Sequence, residues 1–148
     1  MIRPALDSNV LVYGFLEPDS DKGRLANELI ARASANGVLA VQAIGEFLWV
    51  VRRRRPEWLE RATLRGQRFR RVLTSVGTDL ELVLAASGLV RRHGLQFWDA
   101  LILKASARGG AALLLSEDMQ DGAELDGVRL LNPFNPANRG TLDSLLPR

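Results

Sequence analysis

The stretch Pro4-Ala5-Leu6-Asp7-Ser8-Asn9-Val10-Leu11-Val12-Tyr13 reads as a short apolar strand that stops at Asp7 and turns at once into a helix. Residues 2–6 carry the strand, and Ser8 or Asn9 can cap a helix running through Val10, Leu11, Val12 and Phe15. A carboxylate at the carboxyl end of a strand lies where an open parallel α/β sheet has its ligand crevice. One stretch therefore raises two expectations together, a layered α/β fold and a site at Asp7.

The chain beyond it keeps the same rhythm. A loop of turn formers at 17–21 precedes a helix expected over about 22–35, with Leu25, Leu29 and Ile30 on one face and Asn36-Gly37 as its stop. Residues 38–41 form a second apolar strand. Strand, helix and strand in succession imply parallel pairing through a right-handed crossover. From Ala43 a helix is expected to carry Glu46, Phe47, Trp49, Val50 and Val51 into Arg52-Arg53-Arg54-Arg55 and to halt near Pro56. A further helix over about 57–74 holds Arg61, Arg65, Arg68, Arg70 and Arg71, so the pair makes a basic arm.

Val76-Gly77 reads as a third strand and Asp79 as the cap of a helix over 80–92 that stops at His93-Gly94. The next helix runs from near Phe97 to Gly109-Gly110, followed by the clearest strand, 111–115. An acid-rich turn, 116–122, and a last strand, 128–131, complete the alternation. Strands alternating with helices argue for an α/β sheet covered by helices on both faces. At 148 residues the chain fits one domain, read here as residues 1–134 with a partly ordered C-terminal tail over 135–148.

Apolar residues at 47% and charged residues at 25% give ordinary globular composition. The absence of cysteine excludes disulfides, thiolate metal sites and thiol nucleophiles. No run approaches the roughly 20 apolar residues of a bilayer span, and no charged-then-apolar leader opens the chain, so the expectation is a cytoplasmic protein without a membrane partner. The net charge is +3, and every basic residue other than Lys22 and Lys104 is arginine. The planar guanidinium suits phosphate, although genomic base bias also produces arginine.

Four acids share a setting. Asp7 and Asp118 follow strands, Ser116 being placed to cap the second turn, while Glu46 and Asp99 are read at the first turns of helices. Trp49 and Val50 share a face with Glu46, and Ile102 and Leu103 share one with Asp99, so both acids are expected to point inward. Capping accounts for any one of the four. All four together are better explained by a cation, because buried carboxylates are costly unless paired or metal-bound.

An oxygen-only donor set suits Mg²⁺ or Mn²⁺, whereas zinc normally brings histidine or cysteine. The single histidine, His93, reads as a surface or C-cap residue. Phosphate-binding glycine loops and a nucleophile elbow are both missing from the sequence. Carboxylate-held Mg²⁺ serves phosphodiester hydrolysis, for which Arg52, Arg53, Arg54 and Arg55 either hold the backbone of a nucleic-acid substrate or form a solvated helix end.

Leu6-Asp7-Ser8-Asn9-Val10-Leu11, Glu46, Phe97-Trp98-Asp99-Ala100-Leu101-Ile102 and Leu115-Ser116-Glu117-Asp118-Met119-Gln120-Asp121-Gly122 stand in an order that resembles the PIN-domain ribonucleases, most of all VapC toxins of bacterial toxin-antitoxin pairs. The resemblance implies a central five-stranded parallel sheet and an acidic quartet of Asp7, Glu46, Asp99 and Asp118 around Mg²⁺ or Mn²⁺. It also implies that Ser8 or Asn9 and Ser116 orient the acids, and that the partners are a second copy in a homodimer that lines up two acidic sites and a cognate antitoxin that wraps the helical arm and blocks the active site. Many members carry another acid two residues after the one matched by Asp118; Gln120 stands there, and Asp121 either substitutes or caps a turn. Two further readings compete. A receiver-like phosphoacceptor needs an acidic pair after the first strand, where this chain has Ser8-Asn9, and a non-catalytic RNA- or protein-binding relative would not need all four acids.

Overall fold

The computed structural model describes residues 2–148 and contains a six-stranded sheet in the order β3-β2-β1-β4-β6-β5. The strands are β1 (Pro4–Leu6), β2 (Val38–Ala40), β3 (Thr74–Val76), β4 (Leu113–Leu115), β5 (Glu124–Leu125) and β6 (Val128–Leu131). Every pairing is parallel except β5 with β6. The sixth strand corrects the expected five: residues 124–131 form a hairpin whose two turn residues, Asp126 and Gly127, both have positive φ. Asp-Gly is the pair that adopts this turn most readily.

The helices are α1 (Ser8–Leu16), α2 (Asp21–Ala33), α3 (Val41–Arg54), α4 (Leu59–Val72), α5 (Leu80–His93), α6 (Phe97–Arg108) and α7 (Arg139–Leu145). α1 packs on α2 and α3, and α3 on α4, while α5 pairs with α6, which lies on β2, β3 and β6. Strands β1, β2 and β4 are buried at every residue, as expected for parallel strands covered on both faces. Leu6, Leu39 and Leu113 to Leu115 interleave with Leu11, Phe47, Leu101, Ile102 and Leu103 to form the core. Phe47 stacks edge-on to Phe15 at 5.5 Å and Phe69 at 6.4 Å, tying the arm helices α3 and α4 to α1.

Among the boundaries that differ from the sequence reading, two bear on the site. β2 passes directly into α3 at Val41 with no side-chain cap, so Glu46 falls in the second turn rather than the first; no polar cap residue marks the start. Asp7, not Ser8 or Asn9, caps α1, its side chain accepting the Ser8 backbone N–H. His93 ends α5 on the surface, with Gly94 in the left-handed conformation as C-cap. After Asn132 the chain forms a short 3₁₀ turn and α7, with Leu142 and Leu146 buried.

The sheet order places the site. β1 runs into β2 and β3 on one side, and the chain then crosses back to add β4 on the other. The reversal between β1 and β4 is the switch point at which such sheets bind ligands, outside the carboxyl ends of the strands.

Candidate active site

Leu6 is in register with Leu115, so the next residues, Asp7 and Ser116, emerge side by side. The Asp7 backbone N–H donates to the Leu115 carbonyl at 3.0 Å. The Ser116 hydroxyl donates to Asp7 Oδ2 at 2.6 Å, and the Ser8 N–H to Oδ1 at 2.7 Å. Asp7 is 2% exposed. Burial lifts its carboxyl to about 6, against the pull of the Ser116 and Ser8 hydrogen bonds and with the help of the Glu46 and Asp118 charges.

Asp99 sits in the first turn of α6 and is raised to about 6, first by burial and then by the charges of Asp7, Glu46 and Asp118. The four acids therefore act on one another. All four line a single open cleft of about 450 Å³, with Ser8, Gln42, Trp49, Val50, Gln96 and Trp98.

Polar neighbours hold the acids in place. The Ser8 hydroxyl donates to Glu46 Oε2 at 2.9 Å, and Gln42 Nε2 to Glu46 Oε1 at 3.2 Å. Asn9 spans the strand ends: its amide reaches Asp118 at 3.3 Å and Asp7 and Ser116 at 3.5 Å, and its carbonyl accepts the Glu117 N–H. Ser116 Oγ in turn accepts the Asp118 N–H at 3.3 Å. No helix follows β4, so the expected Ser116 cap serves a turn. Both serines and Asn9 touch the acids they were expected to orient.

Asp121 lies elsewhere. Its carboxylate accepts from the Asn132 N–H and from the side-chain amides of Asn135 and Asn138, which hold it below the usual carboxylate range. It fastens the segment leading to α7 and does not line the cleft. Arg52, Arg53, Arg54 and Arg55 are exposed at the end of α3, outside the cleft lining. Arg54 pairs with Glu17 at 3.5 Å and Arg55 with Glu57, while Arg53 lies over the Trp49 ring.

Among the described residues, none of Asp7, Glu46, Asp99 and Asp118 makes an ion pair with a lysine or arginine. An all-oxygen set of acids with no protein cation fits a hard divalent ion. The four are arrayed around the cleft without closing on one point: among the described residues no three acids or histidines stand close enough to grip a single ion. Like charges in one crevice repel, which favours such spacing.

Trp49, Trp98, Gln42 and Gln96 were not read as site residues from the sequence. Trp49 shares the face of Glu46 as expected, but that face opens on the cleft and leaves Trp49 58% exposed. Helical periodicity groups residues by face without saying whether core or crevice lies opposite.

A family model for the PIN domain matches residues 5–120. No curated protein sequence matches significantly. Among solved structures, the Mycobacterium tuberculosis toxin VapC20, described as cleaving the sarcin-ricin loop, is 17% identical with a TM-score of 0.62, over 78% of this chain and 91% of that one. A chain of a toxin-antitoxin complex from Klebsiella pneumoniae is 14% identical at a TM-score of 0.65, over 88% and 98%. A chain of VapBC2 from Rickettsia felis, bound to promoter DNA, is 18% identical at 0.61, over 89% and 98%. These likenesses agree in fold, and with the family match and the acids at the switch point they place the chain in the PIN-domain family.

Proposed function

We propose that the protein is a divalent-metal-dependent endoribonuclease and the toxin of a toxin-antitoxin pair. The observation that carries this reading is the cleft at the β1–β4 switch point, lined by four mutually repelling acids with no protein cation among them. Asp7, Glu46, Asp99 and Asp118 would hold Mg²⁺ or Mn²⁺. Such an ion, when bound, lowers the pKa of a coordinated water and offsets charge developing on the phosphodiester.

The chain's own residues prepare the site. Ser116 and the Ser8 N–H fix both oxygens of Asp7, Ser8 and Gln42 fix those of Glu46, and Asn9 keeps Asp118 beside Asp7. Burial keeps Asp7 poised to ionise near neutral pH, when a cation is there to receive it. The exposed arginines of α3 and α4 draw the RNA backbone toward the cleft. A homodimer, an antitoxin seated on that arm and a cytoplasmic setting belong to the same reading, and the antitoxin is supported by neighbours described as VapBC and toxin-antitoxin complexes.

The open spacing of the acids favours a second reading, a PIN-like domain that binds RNA or protein without cutting. The test is cleavage of total cellular RNA with Mg²⁺, with Mn²⁺ and with chelator, beside an Asp99→Asn control. Discrete fragments that require metal and vanish in the variant are expected. No cleavage under any condition, from folded protein that binds metal, would replace the nuclease with the binding reading.

A further inference from the structure

Two of the three tryptophans stand in solvent at the acidic cleft. Trp49 is 58% exposed and Trp98 51%, and both line it. Neither ring belongs to the buried core, so neither position gains the full stabilisation of burying a large apolar side chain. Trp58 behaves differently, packing edge-on to Phe15 at 6.1 Å with Arg55 and Arg61 over its ring.

Each exposed ring is steadied by a neighbour and set next to an acid. Phe97 meets Trp98 edge-on at 5.2 Å and 90°, and the residue after Trp98 is Asp99. The Arg53 guanidinium lies 4.6 Å from the Trp49 ring centroid, and Trp49 stands one helical turn after Glu46. Gln42 and Gln96 complete the lining. Gln96 occupies the N-cap position of α6, yet its side chain makes no capping bond. Aromatic faces and amides lining one cleft, with a guanidinium outside the lining but over one of the rings, are the set that recognises unpaired nucleotides, through stacking, base edges and phosphate respectively.

We propose that Trp49 and Trp98 are stacking platforms that seat unpaired bases of the RNA across the acidic cleft, with Gln42 and Gln96 meeting base edges and Arg53 an adjoining phosphate. This rests on the nuclease reading and adds to it the residues that position the strand. A protein segment without basic side chains seated on the same rings would strip water from Glu46, Asp99 and Asp118, none of which has an ion pair among the described residues. A stacked strand offers π faces to the tryptophans and leaves the acids hydrated. A duplex, whose bases are already stacked, has none to offer.

The test uses the full chain with Asp99→Asn, so that the strand stays whole. In Mg²⁺, an oligouridylate of about eight nucleotides, within the range such grooves cover, and an abasic strand of equal length are titrated while tryptophan fluorescence and anisotropy are followed. The base-bearing strand is expected to quench fluorescence and to bind more tightly than the abasic one. Trp49→Ala and Trp98→Ala should each weaken it by roughly 5- to 100-fold, with phenylalanine at either position retaining most of the affinity and Trp58→Phe retaining all of it. Circular dichroism confirms that each variant is folded.

Equal affinity for the two strands, or unchanged affinity in both alanine variants, overturns the proposal. Unchanged RNA affinity with an altered oligomeric state assigns the rings to a protein interface and overturns it as well. The titration requires no cleavage, so failure of the nuclease reading, seen as no metal-dependent cutting by the unsubstituted protein, is a separate result.

Discussion

Asp7 is held at both oxygens by neutral donors and surrounded by negative charge, so its neighbours control how costly its ionisation is. Ser116→Ala removes the hydroxyl that most favours the carboxylate and leaves a buried oxygen without that donor. A loss of about 1–3 kcal/mol at neutral pH is expected in chemical denaturation, together with reduced cleavage, because Asp7 and the Asp118 turn both lose an anchor. Asp7→Asn should act in the opposite direction on stability. The folded carboxyl titrates near 6 and the unfolded one near 3.8, so the folded state binds more protons between those values and its stability falls as pH rises through that window. Above pH 6, in chelator, the variant is expected to be more stable than the parent by on the order of 3 kcal/mol, and the gap should close near pH 4. Denaturation curves at both pH values check this; an equal gap at each would show that burial does not govern Asp7.

At the scale of elements, the turn after β4 divides its acids between two tasks. Asp118 faces the cleft, while Asp121, three residues on, receives the asparagines of the following segment. Asp121→Ala is expected to cost about 1 kcal/mol and to expose the chain around residues 132–138 to proteolysis, with RNA cleavage unchanged. A collapse of cleavage in a folded variant would return Asp121 to the active site. This division was not legible in the sequence, where Asp121 had two readings, because its partners are Asn132, Asn135 and Asn138 and only the folded tail brings them near. β1, β2 and β4 were legible since buried parallel strands are continuous apolar runs. β5 was not, being two residues long and specified by its Asp126-Gly127 turn. Asp7 and Asp99 were legible because strand ends and helix starts carry local signals, whereas Trp49 and Trp98 depended on what stands across the cleft.

The whole molecule separates its charges. Nine of its arginines fall between residues 52 and 71, on α3 and α4 and the bend joining them, while the four clustered acids lie in the cleft. RNA affinity should therefore weaken steeply with added salt. Divalent metal should act on the fold itself: Mg²⁺ at about 100 times its dissociation constant contributes roughly 2.7 kcal/mol, a rise in melting temperature of about 5–10 °C for a domain of this size. The rise is expected to be larger at pH 7.5 than at pH 5, where Asp7 and Asp99 are mostly protonated, and to shrink in Asp7→Asn. Thermal scans with and without Mg²⁺ at the two pH values decide it; no rise at either would remove the metal from the site.

The bond between Ser116 and Asp7 joins residues 109 apart, and that separation bears on the order of events during synthesis. A growing chain carries Asp7 and Glu46 before β4 and the Ser116-Asp118 turn are made. Until then the crevice lacks one wall and its anchoring hydroxyl. On the nuclease reading, the site is therefore incomplete in any nascent chain that has not yet reached Asp118, and cutting awaits the pairing of β1 with β4.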